Sequence, residues 1–219
     1  MPKTQEEILK KIRDRLLRVD LSSYQEFANN AKSIEISKSL DGKGLSTGAD
    51  IDYYLVNDFL PDVLGDDFEK YQKEEADVKI MGEPASFKTL KVKGDTALSW
   101  SKNPIEKKDG RASIDRKFLE DPLPMIMYVR NSENWYKYGP KNPMHESIDW
   151  KKLIHSGFYL IDMLKASKYI ILKENNKSNS IIDSQDMYRM LINASDEGNF
   201  ISIPDANKIG KLRFSFIYE

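Results

Sequence analysis

The fold of this chain is most constrained by one stretch, Asp77-Val-Lys-Ile-Met-Gly-Glu-Pro-Ala-Ser-Phe-Lys-Thr-Leu-Lys91. An acidic residue opens a short apolar run, a Gly-Glu-Pro turn follows, and a second run contains Ser86-Phe-Lys88. Two short runs on either side of a glycine-containing turn are typical of a β-hairpin. The sequence therefore predicts two paired strands over residues 77–92.

This predicted hairpin brings a carboxylate and an ammonium group onto neighbouring strands. Asp77 and Lys88 can meet across the hairpin, because residues of matching parity on paired strands share a face. Ser86 shares the face of Lys88, and the backbone carbonyl of Phe87 lies between them. Oxygen ligands that hold a divalent cation beside a lysine suit the hydrolysis of a phosphodiester. The alternative is that Asp77 and Lys88 are ordinary solvated strand residues.

Composition excludes several other kinds of chemistry. The chain has 219 residues, no cysteine, and two histidines, His145 and His155. Disulfides, thiolate nucleophiles and cysteine-ligated metals are therefore excluded, and a histidine-rich zinc site is disfavoured. The formal net charge of −1 means that any DNA-binding surface must be local. The polar start and short apolar runs predict no signal peptide and no membrane span, and hence a cytoplasmic protein.

Helical and strand patterns alternate along the rest of the chain. Helices are predicted over residues 5–18, from 22 onward, over 51–61, 153–164 and 184–194. Strands are predicted over residues 125–130, 169–172, 200–203 and 212–217. This mixture predicts an α/β fold, a single domain with a mixed central β-sheet flanked by helices.

The predicted domain, residues 1–219, divides into four parts. Residues 1–40 form N-terminal helices, and residues 41–92 form a catalytic loop, helix and hairpin. Residues 93–122 are polar and basic and are interpreted as a long DNA-recognition excursion, since long loops in compact domains are usually functional. Residues 123–219 complete the sheet and the helices around it.

Upstream of the hairpin, a glycine-rich loop leads into Gly48-Ala-Asp50-Ile-Asp52. The chain thus shows a pattern of three parts. An acid lies on a helix after such a loop, an Asp lies at the start of a strand, and an acid-x-Lys or Ser-x-Lys element lies on the next strand. This pattern resembles the type II restriction endonucleases of the PD-(D/E)XK superfamily, especially small, blunt-cutting members, over residues 41–92. The resemblance implies a restriction-endonuclease-like fold with catalytic Asp50, Asp77, Ser86 and Lys88. It also implies a metal held by Asp50, Asp77 and the Phe87 carbonyl.

The same resemblance implies a function. It implies hydrolysis of double-stranded DNA at a short palindromic site, with Mg²⁺ as cofactor and Mn²⁺ able to substitute. Cutting both strands of a palindrome calls for two sites related by a two-fold axis, and hence a homodimer. A cognate DNA methyltransferase is expected genetically but not as a bound partner. Ser86 departs from the family by standing where most members place an acid, which puts more weight on Asp50.

Other interpretations remain open from the sequence. Pro61-Asp62 followed by Asp77-Val-Lys79 matches the family name literally, although Asp62 falls at a predicted helix end. Asp50 and Asp52 resemble the Asp-x-Asp pair of nucleotidyltransferases, which requires a strand rather than a helix at this position. A structure-selective or repair nuclease, or a DNA-binding module without catalysis, is a further alternative.

Polar and basic residues near the hairpin are the candidates for DNA contacts. Lysine suits phosphate contacts, whereas Ser, Asn and Arg suit base edges. The predicted DNA-binding residues are Lys43, Ser46, Thr47, Lys91, Lys93, Ser99, Ser101, Lys102, Asn103 and Arg111. For any one of them, the alternative is a solvated surface residue.

Overall fold

A mixed β-sheet forms the centre of the molecule. The computed structural model describes residues 3–40, 47–71, 76–92, 98–100, 105–108, 111–114, 122–131, 154–173 and 179–203. Its strands are β1 (Phe68–Lys70), β2 (Val78–Ile80), β3 (Glu83–Val92), β4 (Leu98–Trp100), β5 (Ile105–Lys108), β6 (Arg111–Ile114), β7 (Met125–Asn131), β8 (Gly157–Ile161), β9 (Ile171–Lys173), β10 (Asn179–Ile182) and β11 (Phe200–Ser202). The main sheet has six strands in the order β1-β2-β3-β7-β8-β11, and β3 and β7 are its parallel pair. The predicted mixed central sheet is confirmed.

Helices cover both faces of this sheet. They are α1 (Gln5–Leu16), α2 (Leu21–Leu40), α3 (Thr47–Tyr54), a π-helical segment (Leu55–Phe59), α4 (Leu60–Leu64), α5 (Met163–Ala166) and α6 (Ser184–Asp196). On one face, α1, α2 and α3 pack their apolar residues against Phe87, Tyr128 and Phe158 of the sheet. On the other face, α5 and α6 pack against Met127 and Tyr159. The result is an α/β fold with a helical layer on each side of the sheet. Within the described residues, none of these helices combines the length and apolar character needed to cross a membrane.

The predicted hairpin is present, with a tighter turn than the sequence suggested. Ile80 pairs with Glu83, so Met81 and Gly82 alone form the turn. Both have positive φ angles, 55° and 80°, which is the backbone of a type I′ turn. Glu83 and Pro84, predicted as part of the turn, therefore begin β3. This two-residue turn fixes which residues of the two strands face each other.

The predicted helix over residues 153–164 is wrong. The structure has the strand β8 there, and all five of its residues are buried. A strand buried on both faces has a continuous apolar pattern, which periodicity alone does not separate from a buried helix. Gly157 permits the close approach of β11, because a Cβ atom there would lie 2.3 Å from the carbonyl oxygen of Ile201. Asp162 then caps the short α5 through the backbone N–H groups of Leu164 and Lys165.

The helix predicted to end near Pro61 continues past it. α3, the π-helical segment and α4 follow one another without a break as far as Leu64. The backbone N–H of Leu60 donates to the carbonyl of Leu55, five residues earlier, which is the π-type pattern. Pro61 stands directly after the π-helical segment, where the hydrogen-bond pattern changes from π to α.

The segment predicted as a long excursion contains regular structure. β4 pairs with β10, and β10 with β9, in a three-stranded antiparallel sheet. β5 and β6 form a separate antiparallel hairpin. Part of residues 93–122 is therefore strand rather than loop. The strand predicted over residues 212–217 lies outside the described residues.

Candidate active site

The open end of the β2–β3 hairpin brings the predicted Asp77 and Ser86-Phe-Lys88 together. The paired register ends at Val78 and Ala85, and the backbone N–H of Asp77 donates to the carbonyl of Ala85 over 3.1 Å, so Asp77 lies directly beyond the paired end of β2. The Asp77 Oδ2 atom accepts a hydrogen bond of 2.7 Å from the backbone N–H of Phe87. Asp77 remains exposed, whereas Ser86 and Lys88 are half-buried. The short hairpin turn thus determines where this carboxylate lies.

The backbone of Phe87 faces the same side as Asp77. In a parallel ladder, alternate residues turn both their N–H and C=O groups toward one neighbouring strand. Ser86 turns toward β7, because its N–H donates to the carbonyl of Pro124 over 2.9 Å. Phe87 therefore turns its N–H and its carbonyl the other way, beyond the end of β2. The predicted use of this carbonyl as a metal ligand agrees with that orientation.

Ser86 and Lys88 share one face of β3, as the alternation of side chains requires. Lys88 stands beside Met127 of β7 in the parallel register. Phe87, between them, is buried in the core on the opposite face. Phe87 thus anchors β3 in the core, whereas the Ser86 hydroxyl and the Lys88 ammonium group lie on the other face of the strand.

A second carboxylate reaches this place from α3, and it belongs to Asp52. Ile51 and Leu55 are fully buried and hold α3 against the sheet. Asp52 is half-buried, and burial raises the pKa of its carboxyl above the usual range. The Asp77 carboxylate acts in the same direction, whereas the Lys88 ammonium lowers this pKa. The Asp52 carboxyl therefore lies within the electrostatic influence of both Asp77 and Lys88.

Asp50, the helix acid that the resemblance implied, lies elsewhere on α3. Two residues are separated by about 200° around an α-helix. Asp50 and Asp52 therefore point to opposite flanks of the buried stripe that contains Ile51. Asp50 is half-buried and is not without partners of its own. Its role as a metal ligand stays a prediction, and Asp52 is the acid that the sequence analysis did not select.

The oxygen atoms at this site are of the kind that Mg²⁺ binds. Asp52 Oδ1 is buried and has no hydrogen-bond partner among the described residues. One carboxylate from the helix, one from the hairpin and the Phe87 carbonyl are hard oxygen ligands. In the described part of the chain, no group of three or more His, Cys, Asp or Glu side chains could hold a metal ion. Mg²⁺ usually binds through one or two carboxylates and keeps several waters, so these residues fit it.

Three charged residues form a cluster beside Asp52, between α2 and the sheet. Glu35 of α2 pairs with Lys91 of β3, and its Oε2 atom lies 3.9 Å from Nη1 of Arg130 on β7. Burial alone would raise the pKa of Glu35, but the surrounding cations hold it below its usual range. Lys91, a predicted DNA contact, thus has its charge balanced by Glu35, which makes it a weaker candidate for a phosphate contact.

The residues of the literal match, Pro61-Asp62 and Asp77-Val-Lys79, are not brought together in the same way. The Lys79 ammonium lies 3.4 Å from Glu69 Oε2 and 3.9 Å from the centre of the Tyr71 ring. Asp62 is exposed on α4. The nucleotidyltransferase interpretation is also disfavoured, because Asp50 and Asp52 lie on a helix, where residues two apart do not share a face.

The structure describes only some of the predicted DNA contacts. Thr47 begins α3, Ser99 lies in β4, and Arg111 begins β6. Lys43, Ser46, Lys93, Ser101, Lys102 and Asn103 lie outside the described residues. These assignments stay predictions.

Comparison with known proteins gives one distant structural similarity. No family model matches the chain, and no curated protein sequence matches it. A solved structure described as a restriction endonuclease in complex with substrate DNA is similar to this chain, with 18% sequence identity and a TM-score of 0.45. The similarity covers 96% of this chain and 95% of that chain. At this degree of similarity, the functional assignment depends on the residues of the site itself.

Proposed function

We propose that this chain is a metal-dependent endonuclease that hydrolyses double-stranded DNA at a specific site, in the manner of the type II restriction enzymes. The observation that supports the proposal is the hydrogen bond from the Phe87 backbone to Asp77 at the end of the hairpin, with Lys88 next along the strand and with the charges of Asp77 and Lys88 acting on Asp52. Two carboxylates that can hold a divalent cation, with an ammonium group beside them, suit metal-assisted phosphodiester hydrolysis. This constellation uses no cysteine and no histidine.

Each residue has a separate task in this proposal. Asp77 and Asp52 would hold Mg²⁺ or Mn²⁺ with the carbonyl of Phe87, and the bound cation would supply Lewis acidity toward the phosphate oxygens. Lys88 orients the attacking water and stabilises the negative charge that builds on phosphorus. Ser86, on the same face of β3 as Lys88, contributes a hydroxyl that orders water at the site. One P–O bond forms to water as another breaks.

The quaternary arrangement follows from the substrate. A palindromic site presents two identical scissile phosphates related by a two-fold axis, so a homodimer presents two matching active sites. Such an enzyme requires a methyltransferase that protects host DNA, which acts on the same sequence without binding the nuclease. The basic and polar segment over residues 93–122 would contribute DNA contacts.

The first expected result is metal-dependent cleavage. The purified chain should cut plasmid and viral DNA into discrete fragments with Mg²⁺ or Mn²⁺, and should leave them intact with EDTA. Gel electrophoresis followed by sequencing of the fragment ends would give the recognition site. A smear of random fragments would indicate a non-specific or structure-selective nuclease. Cleavage in EDTA would contradict the metal site, and binding without cleavage in any metal would indicate a DNA-binding module.

The second expected result concerns DNA binding without cleavage. Ca²⁺ occupies carboxylate sites but activates water poorly, so a dimer should bind cognate DNA in Ca²⁺ without cutting it. Because the net charge is only −1, binding must depend on a local basic surface and should weaken steeply with salt. Sedimentation and fluorescence anisotropy at several salt concentrations would measure both properties. A monomer on cognate DNA would contradict the symmetric mechanism.

A further inference from the structure

One carboxylate on α2 is surrounded by three cations. The Oε1 atom of Glu35 pairs with the ammonium group of Lys91 on β3. Its Oε2 atom lies 3.3 Å from Nζ of Lys32 on the same helix and 3.9 Å from Nη1 of Arg130 on β7. These four residues form the Glu35 cluster. One negative charge is thus shared by three positive charges.

The helix brings Glu35 to these cations through its buried face. Phe27, Ala31 and Glu35 follow one another at four-residue spacing, so they share one face of α2. Phe27 and Ala31 are buried, and the centres of the Phe27 and Tyr128 rings are 4.8 Å apart. Glu35 therefore extends this face of α2 beyond the apolar core, over the end of the sheet.

Lys91 and Arg130 stand side by side at the carboxyl ends of two parallel strands. They are partners in the ladder and lie within the last two residues of β3 and of β7. Their side chains turn toward α2, since Phe87 and Tyr128, an even number of residues earlier, pack on that face. In open α/β sheets, ligands bind beyond the carboxyl ends of parallel strands. The two cations are thus placed where such folds bind their ligands.

Glu35 leaves the guanidinium group of Arg130 incompletely satisfied. The Arg130 side chain is 12% exposed, and its Nε and Nη1 atoms are buried without a hydrogen-bond partner in the described part of the chain. Buried polar atoms are normally hydrogen-bonded. One Glu35 oxygen is engaged by Lys91, and the other is too far from Arg130, at 3.9 Å, for a hydrogen bond. A phosphate group has more oxygens than a carboxylate and matches the donor fork of arginine, so it suits both cations at once.

We propose that Lys91 and Arg130 form a binding site for a phosphate group of the DNA backbone, and that Glu35 occupies this site in the DNA-free protein. The inference rests on the proposed function, because DNA is the source of the phosphate. Glu35 balances the charge of Lys91 only until a phosphate takes the place of its carboxylate. This exchange makes binding more selective, because a ligand must displace an ion-paired carboxylate before it gains the two cations.

The first test compares Glu35→Gln with the parent in binding to duplex DNA in Ca²⁺. Glutamine keeps the shape of glutamate and removes its charge, so DNA affinity should rise at least about threefold. The slope of log affinity against log salt should steepen by about one, because one phosphate contact is no longer offset by the carboxylate. Glu26→Gln is the matched control, because Glu26 is exposed on the opposite side of the same helix. It should bind DNA as the parent does.

A double-mutant cycle shows whether the gain in affinity depends on the proposed site. Lys91→Met should weaken DNA binding by itself, and Glu35→Gln should give a smaller gain in that background than in the parent. An equal gain with and without Lys91 would mean a general effect of charge and would overturn the site. Should Glu35→Gln not fold by circular dichroism, Glu35→Asp takes its place in the same cycle, since it withdraws the carboxylate by one methylene.

Inorganic phosphate tests the site without DNA. At matched ionic strength, replacing chloride with phosphate should raise the Tm of Glu35→Gln by at least about 2 °C more than that of the parent. The Glu35→Gln/Lys91→Met double variant should lose this difference. Folded Glu35→Gln with an unchanged phosphate response and unchanged DNA affinity would overturn the inference and leave the nuclease proposal intact. A phosphate response without a gain in DNA affinity would overturn DNA as the ligand. A parent that neither binds nor cleaves DNA would overturn the proposed function itself.

Discussion

Replacing Lys88 with alanine should reduce the cleavage rate at least about a hundredfold, which corresponds to roughly 2.7 kcal/mol of activation free energy. Lys88 lies near the end of the hairpin, and the positive charge of its ammonium group acts on Asp52. Its loss removes the stabilisation of charge on phosphorus but leaves both carboxylates in place. Single-turnover cleavage of a cognate plasmid in saturating Mg²⁺ would measure the effect. Binding in Ca²⁺ should be retained.

Lys79→Ala is the matched control, because Lys79 lies on the neighbouring strand of the same hairpin. Its ammonium group is already engaged by Glu69 and by the ring of Tyr71. The variant should cleave within a few-fold of the parent. An inactive Lys79→Ala beside an active Lys88→Ala would instead favour the literal string, with Asp62 and Asp77 as its acids. Asp77→Asn should be inactive under either interpretation and does not distinguish them.

The sequence predicted the β2–β3 hairpin well because its signals are local. The glycine turn, the apolar residues Val78 and Ile80, and the alternation along β3 all act within a few residues of one another. Strand β7 was equally predictable, because the run from Met125 onward is apolar and follows a proline. Helix α1 was predictable for the same reason, because Thr4 and Glu7 form a capping box at its start.

The sequence did not predict β8, because burial on both faces removes the alternation that identifies a strand. Its five residues, all buried, take their conformation from β7 and β11 on either side. The continuation of the helix beyond Pro61 was not predicted either. A π-type turn accommodates the proline, and nothing in the local sequence specifies such a turn.

The proximity of the candidate site residues could be predicted in part for the same physical reason. Asp77, Ser86 and Lys88 come from one hairpin, so their proximity follows from strand pairing alone. The helix acid depends instead on how α3 is rotated against β3, which tertiary packing decides. Asp50 and Asp52 flank the buried Ile51 on opposite sides, so helical periodicity gave no reason to prefer Asp52.

Replacing Asp52 with asparagine should abolish cleavage, again by at least about a hundredfold, and should at the same time stabilise the fold. The activity is lost because asparagine has nearly the same shape as aspartate but lacks the negative charge that would bind the metal ion. The stability rises because burial raises the pKa of Asp52, so its charged form is disfavoured in the folded protein at neutral pH. Thermal unfolding without metal should show a higher Tm, by about 2–4 °C for each kcal/mol gained.

The pH dependence gives this prediction a definite sign. A carboxyl whose pKa is raised in the folded state destabilises the protein more as the pH rises through that pKa. The Tm difference between Asp52→Asn and the parent should therefore be largest at neutral pH and should shrink as the pH falls toward 3.8, the ordinary value for this group. Asp50→Asn is the control, since it makes the same change on the same helix. If Asp52 holds the metal, Asp50→Asn should keep the cleavage rate within a few-fold, whereas an inactive Asp50→Asn beside an active Asp52→Asn would return the metal site to Asp50.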